Sequence, residues 1–439
     1  MNGVTNGKAA APTFVEALRV WTKIGLLSFG GPAGQIALMH GVVVDEKRWV
    51  SEPRFLHALN FCMLLPGPEA MQLATYIGWL LHGWRGGIAA GTLFILPGFF
   101  VILALALCYA LFQNTAFIPV LFFGLKAAVL AIVVQALMKI ASRALKIPLS
   151  WLLAGAAFIA IYVFAVPFPL IVLAAAVIGF LFADLFPKKG ADEEELASPV
   201  QPGMARSVRL IALFGALWMA PVLLAGLVLG FGSVFVPLSA FMSKMAVVTF
   251  GGAYAVLAYV AQQAVGTYHW LNPGEMLDGL ALAETTPGPL VLVLTFVGSL
   301  AGFRDAGALS PVGGAVLGAF LTTWVTFVPC FLWIFLGAPY MERLRANQRL
   351  SAALSSITAA VVGVVLNLAV WFAVHTLFAR VGTLSAGPFG MLWPEVSSLD
   401  WRMLALSTLA FVLVFALKRG MAVTLAVCGV AGIVLNFAV

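Results

Sequence analysis

Ser28-Phe29-Gly30-Gly31 returns as Thr249-Phe250-Gly251-Gly252, an offset of 221 residues. The same offset carries Lys23 onto Lys244, Trp49 onto Trp270, and Pro66-Gly67-Pro68 onto Pro287-Gly288-Pro289. Landmarks held at one constant spacing mark an internal repeat. Farther on, the second copy carries an insertion near 302–311, and Pro97 matches Pro329. The expected organisation is an N-terminal half, 1–186, and a C-terminal half, 239–439. Between them lie a charged linker, 187–207, and an unmatched apolar stretch, 208–230.

Composition sets the class. The chain has 439 residues, 62% of them hydrophobic and only 9% charged, with a mean hydropathy of +1.06. Soluble domains carry roughly 25% charged residues, and apolar runs of about 20 residues are what a helix needs to cross a bilayer. The fold class expected is therefore an all-α polytopic membrane protein. A soluble enzyme, a nucleic-acid-binding domain and a secreted disulfide scaffold are excluded. The formal charge of +7 reads as loop charge that sets topology. Cys62, Cys108, Cys330 and Cys428 show no metal-ligand spacing and read as buried thiols.

Each half carries six apolar stretches, so the odd stretch 208–230 should flip the second half and give inverted-topology repeats. The loops 139–148, 187–207, 338–350 and 418–420 are basic, whereas 113–116, 167 and 231–238 have no Lys or Arg. The positive-inside rule then puts the N-terminus in the cytoplasm and the C-terminus outside. The cations Lys47, Arg48 and Arg54 fit that rule only if 14–43 and 55–81 are broken segments that return to their own side. Plain counting instead makes them spans, and both versions keep the inversion.

The breaks carry the chemistry. Gly30-Gly31-Pro32 and Pro66-Gly67-Pro68 interrupt apolar stretches, because proline removes a helical hydrogen bond and glycine admits backbone that other residues avoid. In a bilayer, backbone groups freed this way must face protein, water or ligand. A helix that restarts at mid-membrane presents N–H groups to an anion. The candidate substrate-binding residues are thus Lys23, Ser28, Phe29, Gly30, Gly31, Gln35, Pro66, Gly67, Pro68, Glu69 and Gln72 in the first half. In the second half they are Lys244, Thr249, Gly251, Gly252, Glu284, Thr285, Thr286, Pro287, Gly288 and Pro289. The two lysines supply positive charge, the hydroxyls and amides neutral hydrogen bonds. Glu69 and Glu284 either pair a lysine or carry a coupling proton. Glu16 and Arg19 read as a surface pair, and Lys126 as a snorkelling lysine or a weaker candidate. No metal or cofactor motif is present, and no Walker-type phosphate loop.

At these residues the chain resembles the chromate ion transporter family, in the long form that fuses two homologous halves. The resemblance rests on 28–35 (SFGGPAGQ), 54–69 (RFLHALNFCMLLPGPE), 72–78 (QLATYIG) and 283–289 (AETTPGP). It implies a secondary transporter that exports chromate across the bacterial inner membrane and confers chromate resistance. Sulfate, of like shape and charge, is the expected competitor. The spacing alone reaches only an anion transporter, so oxyanion uptake and an anion channel stay open. A membrane-embedded reductase would need a cofactor or thiol pair that the sequence lacks. Expected partners are the oxyanion, membrane lipid and, as an open question, a second copy in a homodimer; nucleic acid is not among them. The second half departs from the first-half motif, with Ala253, Val256 and Leu290 at the places of Pro32, Gln35 and Glu69.

Overall fold

In the computed structural model, residues 12–113, 115, 117–187, 203–250, 253–338, 347–386 and 389–437 are described. The first half comprises α1 (Phe14–Leu27), α2 (Gly31–His40), α3 (Glu52–Cys62), α4 (Glu69–Phe112), α5 (Phe117–Ala144), α6 (Pro148–Tyr162) and α7 (Phe168–Leu181). After α8 (Met204–Leu229) come α9 (Phe235–Val248), α10 (Ala253–Gln262), α11 (Pro273–Thr285), α12 (Val293–Arg304), α13 (Pro311–Gly337) and α14 (Gln348–Leu377). The second half ends with strands β1 (Val381–Ala386) and β2 (Phe389–Pro394), then α15 (Trp401–Phe411) and α16 (Met421–Phe437). Both ends of α1 map onto those of α9 at the 221-residue offset. The π-helical turn after α2, Gly41–Glu46, reappears after α10 as Gln263–Thr267. Among the described residues, five helices are long and apolar enough to cross a membrane.

Local chemistry explains the breaks. Thr13 caps α1 by accepting from the Glu16 backbone N–H, and α1 stops where Gly30 and Gly31 turn left-handed ahead of Pro32. Pro66 and Pro68 separate α3 from α4 in the same way. Helix α4 is itself bent at His82 and Gly83, which leave helical geometry. Its first part is therefore a short arm and its second a long helix.

The arms fold back. Lys47 Nζ lies 3.2 Å from Glu16 Oε1, and His82 Nε2 lies 2.8 Å from the Pro12 carbonyl. The segments 14–46 and 52–82 thus both return to the end where they began, each as a hairpin with its break at the tip. In the second half Arg304, at the end of α12, donates to the Trp270 carbonyl at 2.7 Å and to Glu275 on α11. Trp270 stacks on Tyr268 and packs against Phe241 of α9. These contacts close the matching pair of hairpins. The first-half mouths lie beside His82, where the long part of α4 begins. The second-half mouths lie beside Tyr109, near its other end, since Tyr109 Oη donates to Asp278 of α11 at 2.8 Å. The two hairpin pairs enter from opposite ends of one helix.

The remaining helices interlock the halves. Helix α14 packs along α6 and α7, and α5 packs along α15 and α16. Gln348 at the start of α14 donates to the Ala183 and Phe186 carbonyls, joining two regions that the charge pattern put on one side. At the opposite end, the Gly390 N–H donates to Val163 O at 2.9 Å. Helix α8 lies at the edge, largely exposed. Pro221 cannot donate back to Leu217, and Trp324 Nε1 takes that carbonyl at 2.8 Å.

Two expectations change. Glu16 pairs with Lys47 rather than Arg19, because the hairpin brings residue 47 within reach. Cys108 is exposed, while Cys62, Cys330 and Cys428 are buried. Between α14 and α15, the antiparallel pair β1–β2 sets Val381 opposite Pro394 and Ala386 opposite Phe389.

Candidate functional site

The hairpin tips meet crosswise. The Gly288 N–H donates to Ser28 O at 2.9 Å, and the Gly67 N–H donates to Thr249 O at 2.8 Å. Each Pro-Gly-Pro loop therefore docks on the Phe-Gly-Gly break of the other half. Each loop also rests beside the in-helix proline of the other half's long helix. Gly288 lies against Gly98, beside Pro97, and Gly67 lies against Cys330, beside Pro329. Both loop glycines have positive φ, 122° at Gly67 and 92° at Gly288, and neither has room for a side chain. A Cβ on Gly67 would lie 2.8 Å from Cys330 Sγ, and one on Gly98 would lie 2.3 Å from Pro287 O.

Several backbone acceptors at the tips are used, whereas the side-chain oxygens of Gln35 and Gln72 are buried without a hydrogen-bond partner. Ser28 Oγ donates to Ile24 O, Thr249 Oγ1 to Met245 O, Thr285 Oγ1 to Leu282 O and Thr286 Oγ1 to Ala283 O. Gln35 Nε2 donates to Gly288 O at 2.6 Å and Ser28 O at 3.3 Å, and Gln72 Nε2 to Pro66 O at 2.7 Å. The donors differ. The helical turns that begin at the tips, at Gly31, Glu69 and Leu290, have no side-chain cap. Elsewhere Thr13, Asn272, Ser310, Asn347 and Asp400 cap their helices, whereas α3, α6, α7, α8 and α9 also begin without a side-chain cap. The uncapped first-turn N–H groups are donors that suit an anion, and they stand beside the unpartnered amide oxygens of Gln35 and Gln72.

A cavity of about 660 Å³ adjoins this junction. Phe29, Gly30, Glu284 and Thr285 form its polar end, and Leu121, Leu125 and the run from Gly420 to Ile433 its apolar walls. Glu284 is 4% exposed, and its Oε1 accepts from Tyr254 Oη at 2.6 Å. Among the described residues no cation pairs with Glu284 or Glu69.

The family profile described as "Chromate transporter" matches residues 15–180 and 236–433, both sides of the repeat. The chain belongs to the chromate transporter family. The transporter is 35% identical over 353 residues to a chromate transport protein of Pseudomonas aeruginosa, covering 78% of this chain and 77% of the relative. It is 29% identical to a probable chromate transport protein of Synechococcus elongatus, over 80% of this chain and 82% of that one. A chromate transport protein of Cupriavidus metallidurans is 27% identical, with 81% and 82% covered. No solved structure matches.

The transporter brings Ser28, Phe29, Gly30, Gly31, Gln35, Glu284, Thr285, Thr286, Pro287, Gly288 and Pro289 to one junction. Pro66, Gly67, Pro68, Glu69, Gln72 and Thr249 belong to the other. Gly251 and Gly252 lie outside the described residues. Lys23 and Lys244 take matching places on α1 and α9, but both are exposed and neither lines the cavity. Tyr254 and Asp278, which spacing did not single out, also appear, together with Lys126, the weaker candidate. Tyr254 holds Glu284, and Lys126 forms an ion pair with Asp278 at 3.2 Å. Their signal in sequence was only that ionisable groups inside apolar stretches seldom lack a role.

Proposed function

We propose that the protein is a secondary transporter that carries chromate, a tetrahedral dianion, out of the bacterial cytoplasm and so confers resistance. The reading has the N-terminus in the cytoplasm and the C-terminus outside, with sulfate as a competing substrate. The observation that carries it is the crosswise tip junction, where uncapped helix starts meet beside a cavity of about 660 Å³. Hairpins entering from opposite ends suit alternating access, because exchanging the conformations of two inverted halves opens the other side. In this reading the 14–46 and 52–82 hairpins re-enter from the cytoplasm, and their counterparts from outside.

The candidate residues then divide by role. Backbone N–H groups near Gly30–Gly31 and Pro287–Pro289 hold the oxyanion, while Gln35 and Gln72 keep the loops in place. Glu284 repels a dianion while it is ionised, so a proton bound there, or at Glu69, couples to substrate binding. Lys23 and Lys244 act on the site through their field rather than by contact. The test is uptake of labelled chromate into inside-out vesicles with imposed proton and anion gradients. Saturable, gradient-driven uptake that sulfate inhibits is expected. Flux that never saturates would make the protein a channel, and uptake only into right-side-out vesicles would reverse the direction.

A further inference from the structure

Resting on that reading, we propose that Lys126 is the cation the oxyanion engages, and that its pairing with Asp278 is a latch which the bound oxyanion releases. Two observations converge on the pair. Lys126 follows Leu125, and Leu121 and Leu125 line the cavity from α5. On the facing helix, Asp278 lies two turns from Thr285, which lines the same cavity. The pair thus bridges the seam between α5 of one half and α11 of the other, about 10 Å along α11 from Thr285, with Lys126 itself outside the cavity lining.

The pair is built for one alternative partner. Asp278 has a side chain only 7% exposed, against 23% for Lys126. Its second oxygen accepts from Tyr109 Oη at 2.8 Å. The other ionisable groups near it are already engaged, since Glu275 on α11 pairs with Arg304 of α12. Helices α14 and α16 also pack on α11 but bring no carboxylate. Lys126 therefore has one resident carboxylate, and a dianion in the neighbouring cavity is a stronger competitor for it.

Taking Lys126 away leaves Asp278 a buried charge without its cation, which is costly in a low-dielectric interior. That cost is relieved when α11 moves off α5 and Asp278 meets water. Substrate binding thus favours opening at the second-half mouths. The repeat puts His57, not a carboxylate, at the place of Asp278, so this carboxylate latch has no copy at the other mouths.

The test uses the full-length protein in lipid nanodiscs, with spin labels at Thr115→Cys and Gly266→Cys and chromate as the probe. Lys126→Met alone would strand Asp278, so the informative variants are Asp278→Asn and the double variant Lys126→Met/Asp278→Asn. In the otherwise wild-type protein, chromate should lengthen the label distance. Asp278→Asn should show the longer distance without chromate and bind chromate several-fold more tightly. The double variant should bind roughly tenfold more weakly, the size of one lost charge-assisted hydrogen bond, and its distance should not respond to chromate. A double variant that binds chromate like the wild type overturns the proposal. A wild-type protein that binds no chromate instead overturns the functional reading beneath it.

Discussion

Glu16 and Lys47 stand 31 positions apart in the chain and 3.2 Å apart in space. A helix spanning those residues without turning back would separate them by about 45 Å at 1.5 Å per residue. Their contact is therefore the closure of a hairpin. A cysteine introduced at Arg48, in a background without the native thiols, should react with impermeant reagents only from the cytoplasmic side. One introduced at Gly266 should react only from outside. Labelling of position 48 from outside would exclude re-entry.

The loop-on-helix packing predicts an uneven glycine scan. Gly98→Ala should cost about 1–3 kcal/mol, as overpacked substitutions do, because its Cβ would press on the Pro287 carbonyl. Gly41→Ala meets nothing within 4 Å and should leave stability unchanged or slightly raised. Thermal unfolding in detergent, with vesicle uptake alongside, measures the contrast. Equal effects at the two positions would show that Gly98 is not a contact point.

Gln35 donates from one nitrogen to carbonyls on both sides of a junction between halves. Gln35→Leu should lower stability by about 1–3 kcal/mol, since it leaves buried acceptors unmatched. Gln35→Glu should do more harm, because an acceptor then faces two acceptors. A Gln35→Glu protein as stable as wild type would mean that the amide bridge contributes little.

Glu284→Gln keeps the size and the contact with Tyr254 but cannot exchange a proton. Substrate exchange across vesicles should survive while accumulation driven by a proton gradient falls. Tyr254→Phe should weaken both modestly, because the carboxyl remains. If Glu284→Gln vesicles accumulate chromate as the wild type does, Glu284 is not the coupling group, and the same measurement passes to Glu69→Gln.

Much of this architecture was legible in the chain because proline and glycine act locally. Gly30-Gly31-Pro32 and Pro66-Gly67-Pro68 end helices wherever they fall, so the breaks and their repetition could be read directly. The charge of Lys47, Arg48 and Arg54 even favoured the returning hairpins over spans. What stayed hidden depends on contacts between distant residues. The offset relates Gly67 to Gly288, but nothing in it says that each pairs with the other half's break. Lys126 looked like a snorkelling residue because its partner lies on α11, far along the chain. The β1–β2 pair escaped notice because Gly382, Ser385, Gly387, Pro388 and Gly390 dilute its strand-forming residues.

The crosswise junction also governs how the molecule comes into being. The Pro66–Pro68 loop leaves the ribosome long before Thr249 exists to receive it, and Ser28 waits longer still for Gly288. At about 5–20 residues per second, the first half spends many seconds in the membrane with its tips unsatisfied. Contacts of such sequence separation form late and slowly. The newborn N-terminal half is thus an unfinished object that an insertion chaperone or quality-control protease can recognise. The junction can be completed only once the last hairpin, with Gly288 at its tip, has emerged.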